Sequence, residues 1–510
     1  MIDYAKLQNG SDIRGVAMTV PNGKPVNLTQ ESAEAIARAF ALWLGERERT
    51  GKAALRVAVG RDSRLTGEAL GQAFLKGLTA SGVRAADVGL ATTPAMFMTT
   101  VTEGFAFDGA VMITASHLPP ERNGFKFFTR AGGLEKGDVS AILSLAQRGE
   151  FEDKPGGATE ALDFMPVYAG QLRRAIQAAT GRERPLAGLR ILVDAGNGAG
   201  GFFERDVLRP LGADTAGSLY LEPDGRFPNH APNPEDEAAM ACLCNAVVEN
   251  GADLGILFDT DVDRAGAVLP DGRELNRNRL IAMLAAIELM EHPGGTVVTD
   301  SITSTGLAEF IAQKGGAHRR FKRGYRNVIN EAVRLNGMGI NCPMAMETSG
   351  HGALRENYFL DDGAFLMVKL LIELARAKER GEALADLIAG LREPAEGKEF
   401  RMALAGAQFA AYAKTVLAQT EAWAKEQAGF SIAPDNFEGV RVNADEAHGN
   451  GWFLLRMSLH DPLMPLNIES DSPGGVSVIA RALAPFLSRF EELDSSALQK
   501  AAESSPRDRI

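Results

Sequence analysis

Cysteine is scarce in this chain: three residues in 510, namely Cys242, Cys244 and Cys342. So small and odd a number excludes a disulfide framework. Cys242 and Cys244 form a C-x-C with no second pair and no nearby histidine, which argues against zinc. Reduced thiols of this kind suit a cytoplasmic setting. Positive charge is also short, 54 Lys and Arg against 66 Asp and Glu, and the net charge of −12 disfavours nucleic acid or an anionic membrane as partner. Long apolar runs are missing. The longest, Leu280 to Met290, is far too short to span a bilayer. The opening MIDYAKLQNGSDIRG lacks the basic start and apolar stretch of a signal peptide. An acidic chain that handles an anionic substrate must do so with a local cluster of Lys and Arg.

What is present is a repeated pattern. An apolar, β-rich run, a Gly/Ser/Asp loop and a helix-like stretch recur three times, from Leu55 (LRVAVG), Leu189 (LRILVD) and Thr296 (TVVTD). Spacing of more than a hundred residues points to three α/β domains of similar topology rather than a short-period solenoid. After Thr29 as N-cap, Ile36, Phe40, Trp43 and Leu44 fall on one helical face and belong to a core. The C-terminal part differs: GVRVNA, GWFLLRMSL and PLNIES read as strands before an apolar helical stretch from Val476 to Phe490, which predicts a smaller α+β domain. The last residues, EELDSSALQKAAESSPRDRI, are polar and read as a fraying tail. Pro/Gly-rich or charged stretches near 155, 272 and 396 mark the boundaries.

Four loops carry chemistry. In ITASHLPPERNGFKFF an apolar strand runs into Ser116 and His117, and Pro119-Pro120 stops both strand and helix, leaving the hydroxyl presentable. Gly124 allows close backbone approach and Lys126 supplies a cation. No G-x-S-x-G elbow is present, so an esterase triad is not indicated. In LGILFDTDVDRAG a buried strand ends in Asp259, Asp261 and Asp263, followed by Arg264. Three clustered carboxylates repel one another unless a cation binds, and hard oxygen ligands suit Mg²⁺ or Ca²⁺. The EF-hand alternative fails, because Arg264 and Pro270 stand where its glycine and glutamate belong. In AMETSGHGALREN, Glu347, Ser349 and His351 offer groups suited to sugar hydroxyls. In LLRMSLHDPLMPLNIES, Arg456, Ser458 and His460 lead to a turn stopped by Pro462, and Arg, hydroxyl and backbone N–H groups suit a phosphate dianion. Taken singly, each loop also has an ordinary reading: a surface turn whose serine bonds the backbone, a solvated acidic turn for the aspartates, and plain turns for the last two.

In order, these loops resemble those of the α-D-phosphohexomutase superfamily, in particular its phosphomannomutase/phosphoglucomutase branch. The similarity runs from Asp12-Ile13-Arg14-Gly15 and the GRDSR at Gly60 over nearly the whole chain. T-A-S-H-L-P with N-G-F-K resembles the family's phosphoserine loop, D-T-D-V-D-R its metal loop, E-T-S-G-H its sugar loop, and Arg456 to Pro462 its phosphate loop. The stretch EPDGRFPNHAPNP, Glu222 to Pro234, is nearly verbatim. The resemblance implies a four-domain enzyme around a central cleft: three α/β domains at 1–155 (phosphoserine loop), 156–275 (metal loop) and 276–396 (sugar loop), and a smaller α+β domain at 397–510. It further implies an isomerase that shifts phosphate between the 1- and 6-positions of a mannose- or glucose-type hexose phosphate. Ser116 would carry the phosphoryl group, and Mg²⁺ would be held by that phosphate and by Asp259, Asp261 and Asp263. Arg14, His117, Lys126 and Arg264 would surround the transferring group, with His351 aiding proton transfer. Lys322, Glu347, Ser349, Arg456, Ser458 and His460 would bind substrate, and a hexose 1,6-bisphosphate would be intermediate and activator.

Departures from the family pattern concentrate in the last loop. Leu459 and His460 replace the usual Asn and Thr, and Asp461 stands where Glu or Gln is common. Leu459 has no side-chain donor for phosphate, whereas protonated His460 has one. Leu118 stands in place of Asn beside the nucleophile. These changes keep two alternatives open: a metal-dependent sugar phosphatase, and a non-catalytic phosphosugar-binding relative.

Overall fold

The computed structural model describes residues 2–48, 55–406, 408–434, 436–458 and 461–503. The chain forms two compact units, Met1–Ile287 with Ser349–Leu387, and Glu288–Thr348 with Ile388–Ile510.

The first unit begins with an eight-stranded sheet. Its centre is the strand Arg56–Arg61, paired in parallel with Arg84–Leu90 on one side and Gly109–Ile113 on the other. Arg122–Thr129 runs antiparallel to Gly109–Ile113, and Asp12–Val16 antiparallel to Arg122–Thr129. Gly109–Ile113 is buried at every position, as expected of a strand covered on both faces. The helix Gln30–Glu48 supplies Ile36, Phe40, Trp43 and Leu44 to the core, where Phe40 packs on Phe127 with ring centroids 4.9 Å apart. Thr29 caps this helix as its sequence suggests: Thr29 Oγ1 accepts from Ser32 N at 3.3 Å, and Ser32 Oγ accepts from Thr29 N at 2.8 Å.

A second sheet of the same unit runs Glu274–Leu275, Ala265–Val268, Leu254–Phe258 and Ile191–Asp194. The last two strands are parallel, and Leu254–Phe258 pairs antiparallel with Ala265–Val268. The loop 259–264 therefore joins two buried, neighbouring strands. Helix Glu237–Asn250 covers this sheet and is N-capped by Asp236, whose carboxylate accepts from Ala239 N at 2.9 Å.

In the second unit, Thr296–Thr299 pairs in parallel with Ala317–Arg320 and Met344–Met346. The C-terminal part is a five-stranded antiparallel sheet in the order Glu396–Ala403, Leu463–Ser470, Gly451–Leu455, Val440–Ala444, Phe430–Ile432, with helices Phe409–Glu426 and Gly475–Leu487. Arg441 ties it to the preceding α/β layer by donating to Ser301 O at 2.7 Å and Thr303 O at 3.1 Å. The expected fraying tail needs correction. Ser496–Glu503 is helical and buries Leu498 and Ala501 in the C-terminal core. Two apolar residues three apart make too short a stripe to stand out in a polar sequence. Among the described residues, no helix is long and apolar enough to cross a membrane.

Candidate active site

Ser116 follows the strand Gly109–Ile113 and sits at φ +51°, in the left-handed region that a non-glycine residue enters at a cost. Its amide donates to Thr114 Oγ1 at 2.9 Å, and its carbonyl accepts from Thr260 Oγ1 at 2.8 Å. Thus the serine turn and the aspartate loop are tied backbone to side chain. The Ser116 hydroxyl donates to Asp259 Oδ2 at 2.8 Å and accepts from Arg264 Nη2 at 2.8 Å. The hydroxyl is buried between a carboxyl group and a guanidinium.

Asp259, Asp261 and Asp263 are 0%, 0% and 1% exposed, and one oxygen of each lies within 4.8 Å of the others. Val262, between the second and third, has φ +66°, an outlier for a β-branched residue. Its carbonyl is held by Gly363 N at 3.1 Å. Lys126 Nζ donates to Asp261 Oδ2 at 3.0 Å and to Asp263 Oδ2. Burial and the neighbouring charges of Asp263 and Asp261 hold the Asp259 carboxyl well above the carboxylate range. Burial acts the same way on Asp263, but Lys126, His351 and Arg264 outweigh it and bring that group below the ordinary value. Three clustered carboxylates repel one another, and a further positive charge would relieve that repulsion. Asp261 Oδ1 and Asp263 Oδ1 are buried without a hydrogen-bond partner among the described residues. Orphaned hard oxygens in a dry, negatively charged loop fit a divalent cation such as Mg²⁺.

The other predicted residues of this unit gather around the same point. Arg14 is engaged one step away, donating to Thr114 O at 2.6 Å and to Asp12 Oδ2 at 2.9 Å. His117 Nδ1 is 3.4 Å from Ser116 Oγ and also faces Arg264 Nη2. The Arg264 charge, then burial, push its pKa down to about 2, so His117 is a neutral acceptor and adds no charge. His351 Nδ1 lies 2.6 Å from Asp361 Oδ2 and 3.8 Å from Asp263 Oδ1. Burial disfavours its charged form, but the Asp361 and Asp263 carboxylates prevail and raise the pKa to about 9. Ser349 is buried in the same unit.

In the second unit, Glu347 accepts from Gly324 N at 2.5 Å, and Lys322 extends over the Phe321 ring with Nζ 5.9 Å from its centroid. Arg456 follows the strand Gly451–Leu455 and is 7% exposed, yet its side chain makes no ion pair and its Nε no hydrogen bond among the described residues. Burial lowers its pKa, and the neighbouring charges include Glu438 and Arg323. A buried guanidinium with no ion pair among the described residues has the chemistry to accept an anion. Ser458 N donates to Leu463 O at 2.9 Å, and Ser458 Oγ accepts from Asp461 N at 3.3 Å. Leu459 and His460 lie outside the described residues.

Sequence reading missed Asp361, which stands ten positions after His351 and carries no motif of its own. It also missed Thr93, whose amide donates to Asp261 O at 2.8 Å and whose hydroxyl donates to Asp261 Oδ2. The GRDSR motif was visible, but the part played by its Arg64 was not.

This arrangement defines a phosphoryl-transfer protein with a serine hydroxyl facing a carboxylate loop. Residues 5–153, 167–272 and 276–393 match phosphoglucomutase/phosphomannomutase alpha/beta/alpha domains I, II and III, in that order. The chain belongs to the phosphoglucomutase/phosphomannomutase family. It is 31% identical over 471 residues to a phosphoglucomutase of Neisseria gonorrhoeae, covering 92% of this chain and 94% of that protein. It is 29% identical over 495 residues to a phosphomannomutase/phosphoglucomutase of Pseudomonas aeruginosa, covering 96% and 97%. The crystal structure of a phosphoglucomutase/phosphomannomutase family protein from Burkholderia thailandensis superposes with a TM-score of 0.76 at 28% identity, covering 99% of each chain.

Proposed function

We propose that this protein is a hexose-phosphate mutase, moving phosphate between the 1- and 6-positions of a mannose- or glucose-type sugar through phospho-Ser116. The observation that best supports this reading is the Ser116 hydroxyl, fixed between Asp259 and Arg264 beside two aspartate oxygens that have no hydrogen-bond partner among the described residues. In the cycle, the Ser116 Oγ–P bond breaks as a bond forms to the free hydroxyl of a hexose monophosphate, whose proton leaves. The resulting 1,6-bisphosphate turns, and its other phosphate returns to Ser116 while the sugar oxygen regains a proton.

Arg264 reaches the transferring oxygen directly and stabilises negative charge there. Lys126 bonds Asp261 and Asp263 and offsets their negative charge. Asp259, Asp261 and Asp263, with the phosphoserine, would hold Mg²⁺, which when bound supplies charge neutralisation at the phosphoryl oxygens. Arg14 steadies the strand end that precedes the serine, and His117 orients Arg264 as a neutral acceptor. His351, steadied by Asp361, serves proton transfer. Arg456, Ser458, His460 and Lys322 serve the substrate phosphate, and Glu347 and Ser349 the sugar hydroxyls. The four-domain division at 155, 275 and 396 belongs to the same proposal.

The test is intact-mass analysis of the purified protein, then incubation with glucose 1-phosphate or mannose 1-phosphate, Mg²⁺ and a trace of the 1,6-bisphosphate. One phosphate on Ser116 and formation of a 6-phosphate support the proposal and rank the sugars. Release of inorganic phosphate without a 6-phosphate would replace it with a phosphatase, and neither product would end both readings.

A further inference from the structure

Asp62 and Arg64 follow the central strand Arg56–Arg61 at the edge of the serine turn. The Arg64 side chain is fully buried. Its Nη1 donates to Pro119 O at 2.8 Å and Arg122 O at 2.9 Å, and its Nη2 donates to Leu118 O at 2.5 Å and to Ser116 O. One guanidinium therefore collects four carbonyl oxygens from a seven-residue turn. The turn has little else of its own: Leu118 N bonds Ala115 O at 3.1 Å and Arg122 N bonds Pro119 O at 3.0 Å. Asp62 anchors the cation from behind, with Oδ2 3.3 Å from Arg64 Nε and Oδ1 accepting from Arg64 N at 2.9 Å.

The stretch Glu222 to Pro234, which the catalytic reading leaves without a role, presses on this same point. The Phe227 ring lies against the Arg64 guanidinium, 5.2 Å from centroid to carbon. A Cβ on Gly225 would stand 2.4 Å from Ser63 O and 2.6 Å from Arg64 Cα, so only glycine allows this approach. Among the described residues, Arg64 makes no hydrogen bond or ion pair with the Ser116 hydroxyl or with the three aspartates. Its action on the site runs through the Ser116 carbonyl, which it shares with Thr260 of the aspartate loop.

We propose that Arg64 is a positioning residue for phosphoryl transfer: its fork of hydrogen bonds sets the serine turn, with Phe227 and Asp62 holding the fork. The proposal rests on the mutase reading. Ser116 is held at φ +51°, and a turn that closes badly on its own will relax once its carbonyls lose their shared donor. Relaxation displaces the hydroxyl from Asp259 and Arg264 and opens the phosphoserine to water. Lysine keeps the charge opposite Asp62 but cannot span four oxygens from one nitrogen.

The experiment compares wild type with Arg64→Lys and Phe227→Leu for kcat, KM and inorganic phosphate released per isomerisation, in protein whose folded fraction is measured by circular dichroism. The expected result for Arg64→Lys is a fall in kcat of about 100-fold with KM within about threefold, since small misplacement of a reacting atom has that effect. Phosphate release per isomerisation should rise about tenfold as water gains access. A folded Arg64→Lys with wild-type kcat and phosphate release overturns the proposal. Should Arg64→Lys not fold, Phe227→Leu decides: a several-fold drop in kcat at unchanged KM supports it, and unchanged kcat overturns it. Wild-type protein without mutase activity or phosphoserine is a different failure, that of the mutase reading itself.

Discussion

The hydroxyl of Ser116 and the carboxylate of Asp259, 143 positions apart in the chain, meet at 2.8 Å. The contact joins the end of one sheet to the end of another. It gives the serine an acceptor for its hydroxyl hydrogen and, on the proposed mechanism, gives Asp259 a neighbour that becomes a phosphate ester. Ser116→Ala should therefore carry no phosphate by intact mass and lose mutase activity by about 10³-fold or more, the scale on which covalent intermediates matter. Its melting temperature should stay near that of wild type, because one small hydroxyl is removed from a paired site.

Mutual repulsion among Asp259, Asp261 and Asp263 makes the fold itself sensitive to a divalent cation. Mg²⁺ at 100 times its dissociation constant should stabilise the protein by about 2.7 kcal/mol, by simple linkage. Thermal melting with and without a chelator measures this without reference to activity. Asp261→Asn should reduce the Mg²⁺-induced shift and raise the Mg²⁺ needed for half-maximal activity at least about tenfold. A melting curve indifferent to Mg²⁺ would remove the cation from the aspartate loop.

Arg456 is buried and makes no ion pair among the described residues, so its removal separates binding from stability. Arg456→Met should raise KM for hexose phosphate by about 10- to 100-fold, the worth of charge-assisted hydrogen bonds to phosphate. The melting temperature should hold or rise, since a desolvated cation without a direct ion pair among the described residues is replaced by an apolar side chain of similar length. Acceptance of phosphate by Ser116 from the bisphosphate should still be detectable. A variant with lower stability and unchanged KM would show that Arg456 is a packing residue.

Glu469 in the C-terminal sheet provides a pH test remote from the chemistry. Burial raises its pKa to about 7, against the Trp452 hydrogen bond at 2.9 Å and the Arg441 charge; Asp471 and Arg320 are the other charged neighbours. A carboxyl raised above its unfolded value favours folding while protonated. Its contribution is present below about pH 4.5 and is lost as pH rises through about 7. Glu469→Gln should thus melt progressively higher than wild type from pH 5 to pH 8, with the difference bounded by about 3 kcal/mol. A constant difference between the two proteins across that range would contradict the assignment.

Much of the architecture was legible because it is written locally. Buried strands such as Arg56–Arg61 and Leu254–Phe258 are short apolar runs, and the serine and aspartate loops begin where those runs stop. The clustering of Asp259, Asp261 and Asp263 could be read from their alternation alone. What escaped is what depends on distant partners. His117 read only as a neighbour of the serine, and its neutral state comes from the guanidinium of Arg264, 147 positions on. Asp361 acquires its meaning from His351 and Asp263, and Arg64 from four carbonyls more than fifty positions away. The C-terminal helix Ser496–Glu503 was missed because two small apolar positions give no readable period.

The left-handed Val262 between Asp261 and Asp263, with its carbonyl fastened to Gly363, has a kinetic corollary. A loop fastened in this way keeps its carboxylates facing inward whether or not an ion neutralises them. Entry and exit of the ion then require no rearrangement of the backbone. The exchange rate should track how fast each metal sheds its water, so Mn²⁺ and Mg²⁺ would differ by their own hydration chemistry and not by any motion of the chain.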